Sequence, residues 1–224
     1  MNDLKCFSFL IIFSLFFGIS NAQQDDFCSW NYLNIRLKLN PEWSVGFNEH
    51  YLRKENVSER WMNIHDLYTT HSIKSWLTQE FHLRSMQVQK LNDHIENRWL
   101  FYYALEGKFK WHGIQFNLRT RWQQLTFEDH WNDQFKGPYY YHRYKVSIQY
   151  PFNYHIKPSI SCEIFNPLNR PDHLKIDQLR SSINLIYRFN QNLSVDTFYQ
   201  LQQPLGRSLP KRYFILGIGF NLTL

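Results

Sequence analysis

Cysteine is scarce in this chain, and its scarcity excludes one class of secreted protein. Only three cysteines occur in 224 residues, and Cys6 precedes the N-terminal apolar run. The other two, Cys28 and Cys162, are too few to build a disulfide-stapled scaffold. A secreted chain could join them, but they lie far apart in the sequence and near no other cysteine. We therefore expect both to be unpaired.

Long apolar runs are absent beyond residue 22. No later segment reaches the about 20 apolar residues that a membrane-spanning helix needs, and none follows a long helical period of 3.6 residues. Mean hydropathy is −0.52, yet aromatic residues make up 18% of the chain. Low hydropathy with abundant Trp, Tyr and Phe argues against a membrane helix bundle and favours two-faced strands with aromatic girdles.

Motifs of enzymes and metal sites are also missing. None of the ten histidines belongs to a His-Glu-x-x-His pattern or a close ligand cluster, and there is no Gly-x-Ser-x-Gly elbow. We expect no enzyme, no cofactor and no metal ion. The catalytic alternative is an outer-membrane lipid hydrolase or acyltransferase, for which His71 with Ser72 or Ser75 is the candidate pair.

The N-terminal segment 1–22 has the three parts of a secretory signal peptide. Lys5 is its weak positive region, Phe7 to Phe17 its apolar core, and Ser20 to Ala22 a small-x-small cleavage site. We expect secretion, removal of this segment, and a mature domain over 23–224.

The C-terminal stretch shows most simply the pattern that recurs through the mature chain. Apolar side chains alternate there with small or polar ones, which is the period-2 pattern of a strand. The apolar face consists of Leu216, Ile218, Phe220, Leu222 and Leu224, and the other face of Gly217, Gly219, Asn221 and Thr223. In a membrane barrel the first face contacts lipid and the second the lumen.

Eleven alternating segments follow one another from Trp30 to the terminus. They are longer than strands of soluble sheets, and short connections alternate with longer ones, as in outer-membrane barrels. We predict an all-β, antiparallel, up-and-down transmembrane β-barrel. Because bacterial barrels have even strand numbers, we expect about 10 to 12 strands. One of the eleven strand assignments is then wrong, and we expect it to be in the first hairpin or at the weak strand around Trp61. A soluble periplasmic β-sandwich is the alternative fold.

The polar faces of these strands carry many charges, although charge is not clustered along the sequence. Net charge is +6, and charges recur at every second residue, so we expect no nucleic-acid partner. The predicted lumen residues are Arg36, Glu80, Arg84, Arg98, Glu106, Arg119, Arg121, Arg143, Lys145, Glu163 and Arg180, with Lys38, His82 and Asp196 beside them. Paired as Arg–carboxylate ladders, they would fill a narrow barrel of unassigned role. The alternatives are a small anion-preferring pore or transporter, or a ligand pocket.

Tryptophan recurs near predicted strand ends, at positions 30, 43, 61, 76, 99, 111 and 122. Amphipathic rings suit the headgroup depth of a membrane, so these residues are expected to form interfacial girdles. Carbohydrate stacking is the alternative, and Tyr139 to Tyr141 is its best candidate.

Several motifs together resemble a family of small secreted bacterial barrels catalogued only as a domain of unknown function. The motifs are Trp30-x-x-Leu33 with Leu39-Asn40-x-x-Trp43, Arg119-x-Arg121, His142-Arg143-Tyr144 and the terminal Gly217-x-Gly219. The resemblance covers the mature chain. It implies location in the outer membrane of a Gram-negative bacterium and supplies no activity. We expect membrane lipid and the barrel-assembly machinery as partners and favour a monomer.

Overall fold

A computed structural model describes residues 25–90, 94–127, 138–169, 176–205 and 211–224. The predicted signal peptide over 1–22 lies outside them. The described residues form strands and connections, and no helix among them is long and apolar enough to cross a membrane.

The fold is one sheet of strands closed on itself. Within the described residues there are eleven strands. They are β1 Asp25–Lys38, β2 Trp43–Lys54, β3 Glu59–Lys74, β4 Leu77–Gln89, β5 Ile95–Trp111, β6 Ile114–Phe127, β7 Tyr139–Gln149, β8 Ile156–Pro167, β9 Gln178–Arg188, β10 Leu193–Pro204 and β11 Arg212–Thr223. The all-β barrel and the predicted range of strand numbers are confirmed.

The sheet closes through a parallel pair. Each strand from β1 to β11 pairs antiparallel with the next one, whereas β1 and β11 pair in parallel from Asp25 opposite Arg212 to Arg36 opposite Thr223. An odd number of strands forces this closure, because the first and last strands then run in the same direction. Our expectation that one strand was wrong is itself wrong: the first hairpin and the strand around Trp61 both form.

The connections lie alternately at two ends of the barrel. The turn end holds connections 39–42, 75–76, 112–113, 150–155 and 189–192. The loop end holds 55–58 and the ends of the strands that flank 90–94, 128–138, 168–177 and 205–211. Two connections are short. Pairing of Lys54 with Glu59 leaves only four residues in 55–58, and pairing of Lys74 with Leu77 leaves only 75–76.

The outer surface is apolar through the middle of the strands. Leu33, Leu67, Leu83, Leu118 and Leu216 point outward and are between 42% and 61% exposed. A two-layer sandwich would bury Leu118, Ile148 and Ile218 together, but all three are exposed on the outside of the closed sheet. Aromatic side chains ring the turn end of this surface: Trp43, Trp76, Trp111, Tyr150, Phe152, Tyr154 and Phe189.

The two described cysteines face opposite sides of the sheet. Cys28 is buried in the interior, Cys162 is exposed on the exterior, and both are free. The expectation that they are unpaired is confirmed, because the sheet itself separates them.

Candidate functional site in the lumen

Strand register joins the predicted charged residues into two neighbouring rows. The first row runs across five successive strands: Glu106, Arg119, Lys145, Glu163 and Arg180. In the second row Ala104 of β5, Arg121 of β6 and Arg143 of β7 lie side by side. The rows put most of the lumen charge on the wall from β6 to β9.

Glu163 is the centre of this wall. Its Oε1 accepts a hydrogen bond from Nη2 of Arg119 at 2.9 Å, and its Oε2 accepts one from Nη2 of Arg143 at 2.7 Å. Nη1 of Arg180 lies 3.9 Å from the same Oε2. The carboxylate side chain is only 4% exposed. Charge-assisted bonds of this kind are the strong ones in a protein interior.

Positive charge exceeds negative charge on this wall. Arg121 and Lys145 form no ion pair with a carboxylate in the part of the chain that the structure describes, although Arg121 is 93% buried (7% exposed). The guanidinium of Arg121 lies instead over the Tyr102 ring, 3.9 Å from its centroid. Among the described side chains, the buried Nε atoms of Arg119, Arg121, Arg143 and Arg180 have no hydrogen-bond partner.

Two other acids, Glu80 and Glu106, lie in the same rows, and each also has a closer partner of its own. Oε2 of Glu80 lies 3.5 Å from Nε2 of His82, and Oε1 of Glu106 lies 3.6 Å from Nζ of Lys108. The five cations around Glu163 therefore leave a surplus of positive charge in the lumen.

The opposite wall, over β2 to β6, is apolar near the loop end. Both walls line a cavity of about 390 Å³. Its apolar side consists of Leu52, Met62, Ile64, Met86, Leu100, Leu125 and, from β11, Ile215, and Arg84 and Arg98 also line the cavity from this side; its charged side includes Arg119, Arg121, Arg143, Lys145, Glu163 and Arg180. At the loop end, Trp61 of β3 stacks on Tyr213 of β11 with centroids 5.0 Å apart, so the two rings bridge the interior across two intervening strands.

Below the cavity, toward the turn end, a second polar cluster fills the wall from β3 to β5. Asp66 is fully buried and accepts a hydrogen bond from Nη2 of Arg84 at 2.7 Å; Nδ1 of His82 lies 3.1 Å from it. The His82 ring stacks between Tyr68 and Tyr102, at centroid distances of 5.0 and 4.1 Å.

Two predicted lumen residues lie away from the Glu163 group. Nε of Arg36 donates to the Tyr68 hydroxyl at 3.2 Å, near the turn end. Arg98 pairs with Glu96 near the loop end. Both are inward, but neither reaches the Glu163 group.

Side chains fill the barrel around nearly its whole circumference. Among the described residues, ten of the eleven strands place an inward side chain that is at most 7% exposed. These are Cys28, Leu52, Asp66, His82, Tyr102, Arg121, Arg143, Glu163, Gln200 and Ile215. Only β9 lacks one, and its Arg180 side chain is 21% exposed. A wide water-filled channel would expose such side chains.

A clamp at the loop end joins three strands. Oδ2 and Oδ1 of Asp26 accept hydrogen bonds from the backbone N–H groups of Glu55 and Asn56 at 3.1 and 3.0 Å. Nζ of Lys211 donates to Glu55 and lies 3.2 Å from Asp26. Burial lowers the pKa of Lys211, but the hydrogen bonds to Glu55 and Asp26 outweigh it and raise the pKa above its ordinary value of 10.5.

The candidate catalytic pair is not assembled. Nδ1 of His71 contacts Nε2 of Gln79 at 3.0 Å, its Nε2 lies 3.9 Å from Glu42, and its ring stacks on Trp43. Neither Ser72 nor Ser75 is among its hydrogen-bond partners. No group of three His, Cys, Asp or Glu in the described ranges could hold a metal ion.

One polar group on the outer surface was not anticipated. Nε2 of His142 lies 2.6 Å from Oγ1 of Thr120, and its Nδ1 lies 2.9 Å from the Tyr144 hydroxyl. The three groups satisfy one another on an apolar face, which the spacing of His142 and Tyr144 on one strand face could have indicated.

Comparisons with known proteins now add to this geometry. A family model described as "Protein of unknown function (DUF2490)" matches residues 27–208. No curated protein matches the sequence. Among solved structures, the NanC porin has a TM-score of 0.54 at 12% identity, over 88% of this chain and 99% of that one. The translocator domain of the autotransporter NalP from Neisseria meningitidis has a TM-score of 0.39 at 10% identity, over 77% and 71%. At such identity the NanC similarity extends to the fold alone.

Proposed function

Since this chain belongs to the DUF2490 family of proteins of unknown function, we propose its function from the barrel itself: an outer-membrane barrel that is closed to ion flow and binds small anions in its lumen. The proposal has two parts, a location and a role, and each has its own support.

The location is supported by the sorting of side chains between the two faces of the sheet. Leucines at mid-strand face outward and aromatic rings circle the turn end. Charges occupy the inward face, where Arg or Lys avoids the about 2–4 kcal/mol that it would cost on a lipid face at mid-bilayer. With lipid around it, such a barrel takes the barrel-assembly machinery as its insertion partner.

The role is supported chiefly by one observation, the near-complete ring of buried inward side chains. Ion conduction needs a continuous wet path, and side chains such as Asp66, Tyr102 and Cys28, at 0%, 2% and 0% exposure, oppose one. The surplus of cations around Glu163 gives the closed interior an affinity for anions. The proposal includes no catalytic step, and the partners of His71 are Gln79, Glu42 and Trp43.

The second candidate is a small anion-preferring pore. The same cations favour it, together with small polar side chains on β8 and β9, such as Ser159, Ser161 and Ser182, of which the last two also line the cavity. Both candidates predict anion attraction, and they differ only in whether ions cross.

Two measurements test the proposal. For the location, envelope fractionation is expected to recover the protein in detergent-soluble outer membrane, with slower gel migration after boiling. Recovery in the soluble periplasm would contradict this location.

For the role, the protein is placed in planar bilayers, after flotation has verified that it inserts into liposomes. We expect no steps above baseline from the wild type. Ohmic steps with anion selectivity would establish the pore instead.

A conductance control shows that a path would be detected if one existed. Tyr102→Ala and Tyr68→Ala together remove both rings that flank His82, and this double variant is expected to conduct. A current from this variant would show that the inserted wild-type barrel does not conduct because side chains fill it.

A further inference from the structure

The lumen cavity has a charged wall and an apolar wall, and this division restricts what it can bind. We infer that its ligand is a small amphipathic anion, a carboxylate or phosphate monoester that carries a short unbranched apolar chain. The inference rests on the proposed function, since it names the class of anion that the closed lumen takes.

We assign the anionic head group of the ligand to the cationic side chains that have no carboxylate partner among the described residues. Arg121 is 93% buried, and its Nε has no partner among the described residues. Lys145 lies diagonally across from it, in the neighbouring row between Arg119 and Glu163. A buried cation is stable when it is paired and hydrogen-bonded. Glu163 supplies one carboxylate to Arg119 and Arg143, so Arg121 and Lys145 are the cations left for a ligand.

The apolar chain is assigned to the facing wall. Met86 and Leu125 pack against the buried cluster of Leu100, Tyr102 and Ala104, and Leu52 and Ile64 of β2 and β3 extend this surface around the cavity. Methionine side chains adapt to flexible ligands. A sugar or a dicarboxylate would place several polar groups against these apolar side chains, which is unfavourable in a buried site.

Cavity size limits the length of the chain. About 390 Å³ lies near the lower limit of the roughly 300–1,000 Å³ typical of small-molecule sites. A full lipid does not fit, whereas a chain of a few methylenes does. We therefore expect selectivity for short chains.

The test is calorimetric titration of the full barrel in phosphatidylcholine nanodiscs. The probes are inorganic phosphate, acetate, butyrate, hexanoate and hexyl phosphate, with hexanol and hexylammonium as uncharged and cationic controls. We expect affinity to rise from acetate to hexanoate by up to about fourfold per buried methylene. Hexanol and hexylammonium are expected to bind at least tenfold more weakly than hexanoate. The tighter of hexanoate and hexyl phosphate identifies the head group.

Variants separate the two walls. Arg121→Met and Lys145→Met are each expected to weaken phosphate and hexanoate at least tenfold, while Met86→Ser removes the gain from chain length and leaves acetate unchanged. Replacing an unpaired buried cation by an apolar side chain keeps or raises stability, so these variants fold. The matched control is Lys157→Met, which removes an inward cation of β8 six residues, or about 20 Å, from Glu163.

Each unfavourable outcome has its own meaning. Binding of phosphate and acetate without a gain from chain length overturns the amphipathic ligand and leaves the anion-binding role intact. Failure of every anion overturns both proposals. Equal binding by hexanol, or undiminished binding by Arg121→Met and Lys145→Met, overturns the assigned head-group site.

Discussion

Gly46 of β2 lies directly opposite Tyr68 of β3, and the tyrosine ring covers the glycine inside the barrel. The same relationship recurs on the neighbouring strands β10, β11 and β1, where Phe198 covers Gly217 and Tyr32 covers Gly219. The inward-facing glycines thus leave space for the aromatic ring on the neighbouring strand to lie flat against the inner face of the sheet. This packing explains the small face of the terminal strand.

Gly46→Ala is expected to destabilise the barrel, because the added Cβ would overlap the Tyr68 ring. Overpacking of this kind costs about 1–3 kcal/mol. Urea unfolding in detergent measures it. Gly107→Ala is the matched control, since nothing lies within 4 Å of the Cβ it adds. Equal effects from both substitutions would contradict the role of the ring.

Glu163→Gln is expected to cost about 3–5 kcal/mol of unfolding free energy, because it leaves Arg119, Arg143 and Arg180 without their shared counter-charge. The control is Glu59→Gln. Its carboxylate is 58% exposed and lies 3.7 Å from Nζ of Lys54, and ion pairs at the protein surface contribute about 0–1 kcal/mol. A loss below 1 kcal/mol for Glu163→Gln would show that the cluster is not held by this carboxylate.

Val57→Gly is expected to stabilise the protein, because Val57 has a φ of 66° in the tight connection between β2 and β3. The left-handed conformation costs a β-branched residue about 1–2 kcal/mol, of which glycine regains a part after its own entropy loss. Asn56, at φ 55°, is the comparison. Asparagine tolerates this region, so Asn56→Gly should change the unfolding midpoint little. A destabilised Val57→Gly would contradict the assignment of strain.

The clamp at Lys211 is expected to weaken at alkaline pH. Its pKa is raised in the folded protein, so the stability it contributes is fully present below the ordinary value of 10.5 and is lost as pH rises through the raised pKa. The stability difference between wild type and Lys211→Met should therefore shrink above that value. A difference that stays constant to the highest pH tested would show that Lys211 acts through packing alone.

Thiol labelling is expected to distinguish the two faces of the sheet. Cys162 faces outward in mid-strand and Cys28 is buried inside. A lipid-soluble maleimide should label Cys162 in membranes, a charged maleimide should label it poorly, and Cys28 should react only after unfolding. Rapid labelling of Cys162 by the charged reagent would contradict lipid contact on this face.

The alternation of side chains was enough to predict which way the charges point, because a strand has a period of two whatever its neighbours are. It could not predict which charges meet. Arg121 and Arg143 adjoin only through the offsets between β6 and β7, which no local pattern encodes. For the same reason Arg36 and Arg98, predicted with the others, lie away from Glu163.

The apolar wall of the cavity was missed although a signal was present. Ile64, Asp66 and Tyr68 share one face of β3. That face combines a charged side chain with apolar and aromatic ones, so the alternation in the sequence is imperfect. It reflects an interior that is itself divided into apolar and charged sides. The parallel closure had no signal at all, because it depends on the number of strands and not on any residue.

The parallel pairing of β1 with β11 makes this strand interface different from every other interface in the barrel. Hydrogen bonds between parallel strands are slanted and slightly weaker per residue than antiparallel ones, and no hairpin ties β1 to β11, whose partners are 187 positions apart (Asp25 with Arg212). Assembly must therefore finish along this seam by a slow search over nearly the whole chain. When the barrel is stressed, the strands β1 and β11 should therefore separate first.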